Sequence, residues 1–172
     1  LLTWFSPGHY LLPYALSSTG ICTLASATIL SNYLCFAAGL AGFYQLYKHF
    51  GFGRGPVALS LLIISFQLYT TEYYYTCSTA DIYLFAYVPW LLLGFLKQGN
   101  WRWFHFPLLI AAYLLGFVLK TSFLLVALPL IFVAPVYQVL LTEGRDRTQA
   151  ISTIAGNATA YAITFGLCHY FF

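Results

Sequence analysis

Charged residues are scarce in this chain, at 6% of 172 residues, whereas an ordinary soluble domain has about 25%. Seven Lys+Arg and four Asp+Glu cannot cover the surface of a water-soluble fold of this length. The same scarcity excludes disordered and nucleic-acid-binding classes, which need polar or strongly basic sequences. Because 61% of the residues are hydrophobic, the remaining class is a polytopic membrane protein.

The sequence also lacks motifs for a metal site and for a signal peptide. The four cysteines form no C-x-x-C pair and no Cys/His zinc spacing, and the four histidines are too scattered for a local metal motif. No basic segment followed by a short apolar stretch and a cleavage site opens the chain, which argues against a signal peptide. Because the sequence has no methionine and ends within an apolar run, we expect an internal fragment of a longer membrane protein.

Apolar runs long enough to cross a bilayer predict the fold. A spanning helix needs about 20 largely apolar residues. The sequence therefore predicts an all-α, polytopic transmembrane bundle, a single domain over residues 1–172 with five to six membrane helices. We expect an external loop or interfacial segment at 1–18 and helices at about 22–47, 56–71, 79–96, 103–119, 121–141 and 151–172.

Lys120 divides the longest apolar stretch. Residues 107–141 would form one straight helix of about 52 Å, which overshoots a bilayer and places the Lys120 ammonium in hydrocarbon. That burial costs about 2.5–3.5 kcal/mol on insertion scales. Two shorter helices with a turn at residues 120–122 put the ammonium at an interface instead, so we predict a break there.

The cations are distributed unevenly between the two predicted faces. Six lie in three alternate connections: Lys48, Arg54, Lys97, Arg102, Arg145 and Arg147. Because cytoplasmic loops are rich in Lys and Arg, this face is assigned to the cytoplasm. We expect a multi-pass integral protein of the plasma (inner) membrane. The opposite face then holds His9, Glu72, Asp81 and Lys120, which are candidate site residues because ionisable groups at membrane depth are costly.

Each of these four residues also has a structural interpretation. Ser78 and Asp81 fit the S/T-x-x-D pattern that caps a helix N-terminus, and Glu72 fits a solvated residue at a helix end. The Lys120 ammonium can extend to outer headgroups without further function, and His9 can be an interfacial histidine.

Four segments in order resemble the glycosyltransferases of the C superfamily, especially the protein mannosyltransferase and lipid A aminoarabinose transferase-like group. They are residues 6–12 (SPGHYLL), 47–54 (YKHFGFGR), 78–84 (STADIYL) and 116–121 (GFVLKT). The resemblance covers about residues 6–141. It implies an enzyme that takes a polyprenyl-phosphate-linked sugar on the extracytoplasmic side, with an acidic general base in an external loop expected upstream of residue 1.

Two function hypotheses follow. The first is a membrane glycosyltransferase in which Lys120 contacts the donor phosphate while Asp81, Glu72 and His9 line the same external cavity; its need for a divalent metal is left open. The second is a non-enzymatic polytopic membrane protein, such as a transporter segment or an assembly subunit. Both have the lipid bilayer as a partner and neither involves nucleic acid. They differ in whether Lys120 and Asp81 converge on one cavity that opens outward.

Overall fold

The computed structural model describes residues 8–66, 80–98, 102–141 and 147–171, and every element in these ranges is an α-helix, which confirms the all-α class. The helices of the described residues are α1 Gly8–Ser18, α2 Leu24–His49, α3 Arg54–Phe66, α4 Ala80–Lys97, α5 His105–Leu119, α6 Phe123–Leu141 and α7 Arg147–Phe171. Each of α2 to α7 overlaps a helix expected from the sequence, and α1 occupies the expected interfacial segment.

One helix in the described part of the chain is long and apolar enough to cross a membrane. This is α2, with 26 residues, and it meets the criterion by length and composition. A signal sequence or the core helix of a soluble protein can satisfy the same criterion. The helices α3 and α5 are apolar but shorter, with 13 and 15 residues.

Local sequence sets both ends of α2. At the N-terminus, the Thr23 hydroxyl accepts a hydrogen bond from the Ser26 amide and so caps the helix. At the C-terminus, Gly51 adopts a φ of +75°, which a residue without Cβ tolerates best. The Phe50 N–H donates to the Leu46 carbonyl at 3.0 Å and the Phe52 N–H to the Tyr47 carbonyl at 3.1 Å, which satisfies carbonyls of the last turn.

The chain divides into two compact units, Leu1–Leu93 and Gly94–Phe172. In the first unit, α2 packs against α1, α3 and α4. Glycines on α2 permit the close approach of α4: Gly39 faces the Phe85 ring, and a Cβ on Gly42 would lie 2.8 Å from the Pro89 Cβ. Small residues on α2 therefore serve helix packing.

In the second unit, α5, α6 and α7 pack against one another. Tyr113 of α5 lies at the centre, fully buried. Its ring contacts Tyr161 of α7 edge-on, with 5.8 Å between the centroids, and Phe95 from the end of α4 at 6.3 Å. The Tyr161 hydroxyl donates a hydrogen bond to the Leu124 carbonyl at 3.0 Å, which connects α7 to the first turn of α6.

Candidate functional site

Lys120 lies in the short connection between α5 and α6, where the sequence predicts a break. Its backbone is extended, with φ −156° and ψ 126°, so the α5 helix ends at Leu119. The Lys120 N–H donates to the Gly116 carbonyl at 2.9 Å, and the Lys120 carbonyl accepts from the Phe123 N–H at 2.9 Å. Because the residue is hydrogen-bonded to the helix on each side, its Cα is fixed where the two apolar helices meet.

Close packing next to Lys120 supports this connection. The Phe123 ring, which is fully buried, lies against Gly116 in the last turn of α5. A side chain at position 116 would occupy the space of that ring, so only a glycine permits this approach. Tyr161 adds support through its hydrogen bond to the Leu124 carbonyl. The turn that carries the lysine is thus held by contacts from α5, α6 and α7.

The setting of Lys120 suits an anion. The side chain is half-buried where two apolar helices meet. An ammonium at this position can pair with a phosphate oxygen that reaches it, in a charge-assisted hydrogen bond. The position next to the C-terminus of α5 also stabilises the positive charge, because the last carbonyls of the helix point toward it.

Asp81 lies in the first turn of α4 and is half-buried. A carboxylate there is stabilised by the amide groups of the helix N-terminus. Ser78, the capping residue expected from the sequence, lies outside the described residues, so the capping interpretation and the binding interpretation both stay predictions.

The structure does not describe the side chains of the other two candidate site residues, Glu72 and His9. Glu72 lies outside the described residues. The backbone of His9 belongs to α1, while its side chain is outside the described part. Asp81 belongs to the first compact unit and Lys120 to the second, and their convergence on one cavity stays a prediction.

A metal centre gains no support from the described residues. No group of three or more His, Cys, Asp or Glu residues in that part of the chain is arranged to hold a metal ion.

The polar interior of α7 is a feature that sequence reasoning missed. Thr153, Asn157 and Thr164 are buried, whereas large apolar side chains on the same helix are exposed, Ile151 at 67% and Phe165 at 49%. Together with the buried residues Ala150, Ala160 and Cys168, these positions recur at intervals of three and four residues, which is the signal that could have found them. Buried polar side chains together with exposed large apolar ones are unusual on a helix of a soluble protein. Polar residues such as Arg147, Ser152 and Thr159 are exposed on the same helix as well.

The α2 helix also buries small and polar residues, alongside apolar ones such as Phe36 and Leu46. Its buried face includes Ser31, Asn32 and Gly39, and the Tyr83 hydroxyl of α4 donates to the Ser31 hydroxyl at 3.4 Å. Its exposed face includes Ile29 and Leu34. Small and polar residues between helices with apolar residues outside are typical of membrane-embedded helices.

Comparisons with known proteins do not assign the chain to a family. No protein-family model, curated protein or solved structure matches this chain.

Proposed function

We propose that this chain is part of an integral membrane glycosyltransferase, which moves a sugar from a polyprenyl-phosphate donor to an acceptor on the extracytoplasmic side. The observation that carries the proposal is the placement of Lys120, a half-buried cation fixed between two apolar helices. The order of the four sequence segments that resemble the C superfamily supports the same assignment.

Membrane embedding in five to six helices is the first part of the proposal. It is supported by α2 and α7, whose exposed residues include large apolar side chains, such as Ile29 and Leu34 of α2 and Ile151 and Phe165 of α7. Exposed leucines on α3 and α5, such as Leu59, Leu62 and Leu108, extend this apolar exterior. Water would destabilise such a surface, whereas lipid chains solvate it.

The depth of Lys120 is the second part. The 15 residues of α5 extend for about 22 Å, somewhat less than the hydrocarbon thickness of about 30 Å. Arg102 precedes this helix and Lys120 follows it, so each cation can extend to a different membrane interface. A polyprenyl chain lies in the hydrocarbon with its phosphate at headgroup level, which is the level proposed for the Lys120 ammonium.

The chemistry is the third part. An acceptor hydroxyl oxygen bonds to the anomeric carbon of the donor sugar, and the bond from that carbon to the phosphate oxygen breaks. The phosphate leaves with the bonding electrons while a base takes the hydroxyl proton. The Lys120 ammonium stabilises the charge that develops on the leaving phosphate. Asp81, Glu72 and His9 are proposed to line the cavity and orient the acceptor; no carboxylate of this chain is assigned as the base.

One observation favours the second candidate, a non-enzymatic membrane protein. Asn157 is fully buried near the middle of α7, and neither atom of its side-chain amide has a hydrogen-bond partner among the described residues. Polar side chains inside a membrane bundle often mark a transport path. If Asn157 rather than Lys120 is required for function, this candidate is favoured over sugar transfer.

Lipid binding tests the role of Lys120 without knowledge of the sugar. The chain is reconstituted in nanodiscs of neutral lipid, and its affinity for polyprenyl phosphate is compared with that for uncharged polyprenol. We expect the phosphate to bind more tightly and Lys120→Ala to reduce that preference roughly 10- to 100-fold, because a charge-assisted hydrogen bond is lost. Lys97→Ala is the matched control, since Lys97 also lies at a helix C-terminus and is exposed.

Sugar transfer is then measured with the protein that contains this chain. Lys120→Ala is expected to lower donor turnover while membrane insertion is retained, and Lys97→Ala to leave turnover unchanged. Equal binding of polyprenyl phosphate and polyprenol, or wild-type turnover in Lys120→Ala, would contradict the proposed role.

A further inference from the structure

The connection between α2 and α3 combines cations with exposed aromatic rings. We call Lys48, Phe50, Phe52 and Arg54 the α2–α3 patch. Lys48 lies in the last turn of α2 and Arg54 opens α3, and both side chains are exposed. Phe50 is 38% exposed and Phe52 is 56% exposed. Two apolar rings are thus presented to the surroundings between two positive charges.

The rings of the patch are ordered by contacts. Phe52 packs edge-on against Tyr47 of α2, with 5.7 Å between the ring centroids, and its centroid is 6.5 Å from that of Phe50. The hydrogen bonds that follow the turn at Gly51 fix the backbone that carries both rings. The aromatic surface is therefore preorganised, and it stays exposed although burial would be favourable.

The charges of the patch have no acidic neighbour in sequence. Residues 1–71 contain no Asp and no Glu, so nothing in α1, α2 or α3 can neutralise Lys48 and Arg54. The connection before α7 differs, because Glu143 and Asp146 balance Arg145 and Arg147 there. Each connection has two cations from Lys and Arg. The α2–α3 connection therefore has a net positive charge, whereas the connection before α7 has no net charge.

We propose that the α2–α3 patch binds the headgroup of an anionic phospholipid. The two cations pair with the lipid phosphate and any further headgroup charge, while the rings of Phe50 and Phe52 lie at the boundary between headgroups and acyl chains. Charge complementarity and the exposed rings together favour a lipid over a soluble anion, which would contact the cations alone. The proposal rests on the membrane location proposed above, but it does not depend on sugar transfer.

Native mass spectrometry of the whole chain in detergent tests this proposal. Phosphatidylglycerol and phosphatidylcholine of the same chain length are titrated in turn, and the dissociation constants are compared. We expect phosphatidylglycerol to bind more tightly, by about fivefold for each cation and roughly 30-fold for the pair. The double variant Lys48→Gln/Arg54→Gln is expected to lose this preference, and high salt to weaken it.

Two further variants separate the contributions. Arg145→Gln/Arg147→Gln removes the same number of cations from the balanced connection and is expected to keep the preference. Phe52→Ala is expected to weaken binding of both lipids, because the aromatic contact does not depend on headgroup charge. Circular dichroism checks that each variant remains helical, which is expected for Lys48→Gln/Arg54→Gln because both cations are exposed.

Three outcomes would overturn the proposal. These are equal affinity for the two lipids, an unchanged preference in Lys48→Gln/Arg54→Gln, and displacement of phosphatidylglycerol by glycerol 3-phosphate at the lipid's own concentration. None of these three outcomes bears on the glycosyltransferase assignment, since Lys48→Gln/Arg54→Gln leaves Lys120 and its binding of polyprenyl phosphate intact.

Discussion

The ring of Phe123, the first residue of α6, lies directly against Gly116 in the last turn of α5. The contact closes the connection in which Lys120 lies, and the Lys120 N–H donates to the carbonyl of the same glycine. The position of the proposed phosphate-binding ammonium therefore depends on the absence of a side chain at position 116.

Gly116→Ala tests this dependence. The added Cβ would meet the Phe123 ring, which is fully buried and has little room to move. We expect a loss of about 1–3 kcal/mol in the free energy of unfolding, as for other overpacked cores. Thermal unfolding in detergent, followed by circular dichroism, measures the effect as a lower Tm.

Gly166→Ala is the matched control for this variant. Gly166 lies within α7 of the same unit, and a Cβ there would meet nothing within 4 Å. Because alanine favours a helix over glycine, its Tm is expected to stay constant or rise slightly. Equal Tm values for the two variants would show that the Gly116–Phe123 contact does not constrain the turn.

Gly42→Ala tests the packing of α2 against α4. The new Cβ would lie 2.8 Å from the Pro89 Cβ and 3.0 Å from the Trp90 Nε1. A proline ring has no flexible end that can move aside, so we expect a loss of about 1–3 kcal/mol in the free energy of unfolding. A decrease in Tm relative to Gly94→Ala, where a Cβ meets nothing within 4 Å, checks this expectation.

Asn157→Leu tests whether the buried amide of α7 is structural or functional. A buried amide without hydrogen-bond partners costs about 1–3 kcal/mol, and leucine has a similar size without polar atoms. We expect an unchanged or higher Tm with donor turnover retained. Thr164→Val provides the contrast, because it removes the hydrogen bond from the Thr164 hydroxyl to the Ala160 carbonyl at 2.9 Å and is expected to lower the Tm slightly.

The two candidate functions give different results for Asn157→Leu. Loss of function with an unchanged fold would favour the non-enzymatic candidate, in which the polar interior of α7 is required. Retained function would leave Lys120 as the residue on which the proposed activity depends.

Cysteine labelling tests the proposed orientation. The four native cysteines are replaced by alanine, and Lys120→Cys or Lys48→Cys is added to that background. A membrane-impermeant maleimide applied to intact cells is expected to label position 120, whereas position 48 requires permeabilised cells. The background without added cysteine controls for unspecific labelling. Labelling of position 120 only after permeabilisation would refute the orientation and the donor-binding role together.

The helix break at the candidate site could be predicted from the sequence, because the position of a single charged residue determines it. Lys120 interrupts an apolar run too long for one bilayer crossing, and the structure has a break at that residue. The contacts that stabilise this break could not be predicted from the sequence, because Phe123, Tyr161 and Leu124 come together only when α5, α6 and α7 pack. The convergence of Lys120 with Asp81 stays a prediction for the same reason: it depends on packing and not on spacing.

The amino-acid sequence by itself determined the helical class and the approximate positions of the helices, because apolar run length and a few charges suffice for both. Only the tertiary structure decided which side chains of different helices meet. The Trp90 indole of α4 donates to the Ala38 carbonyl of α2 at 3.0 Å across 52 positions of sequence, and the Tyr161 hydroxyl of α7 donates to the Leu124 carbonyl of α6. The physical reason is that contacts between helices depend on how the helices pack, whereas the spacing of residues along one helix determines only which of them share a face.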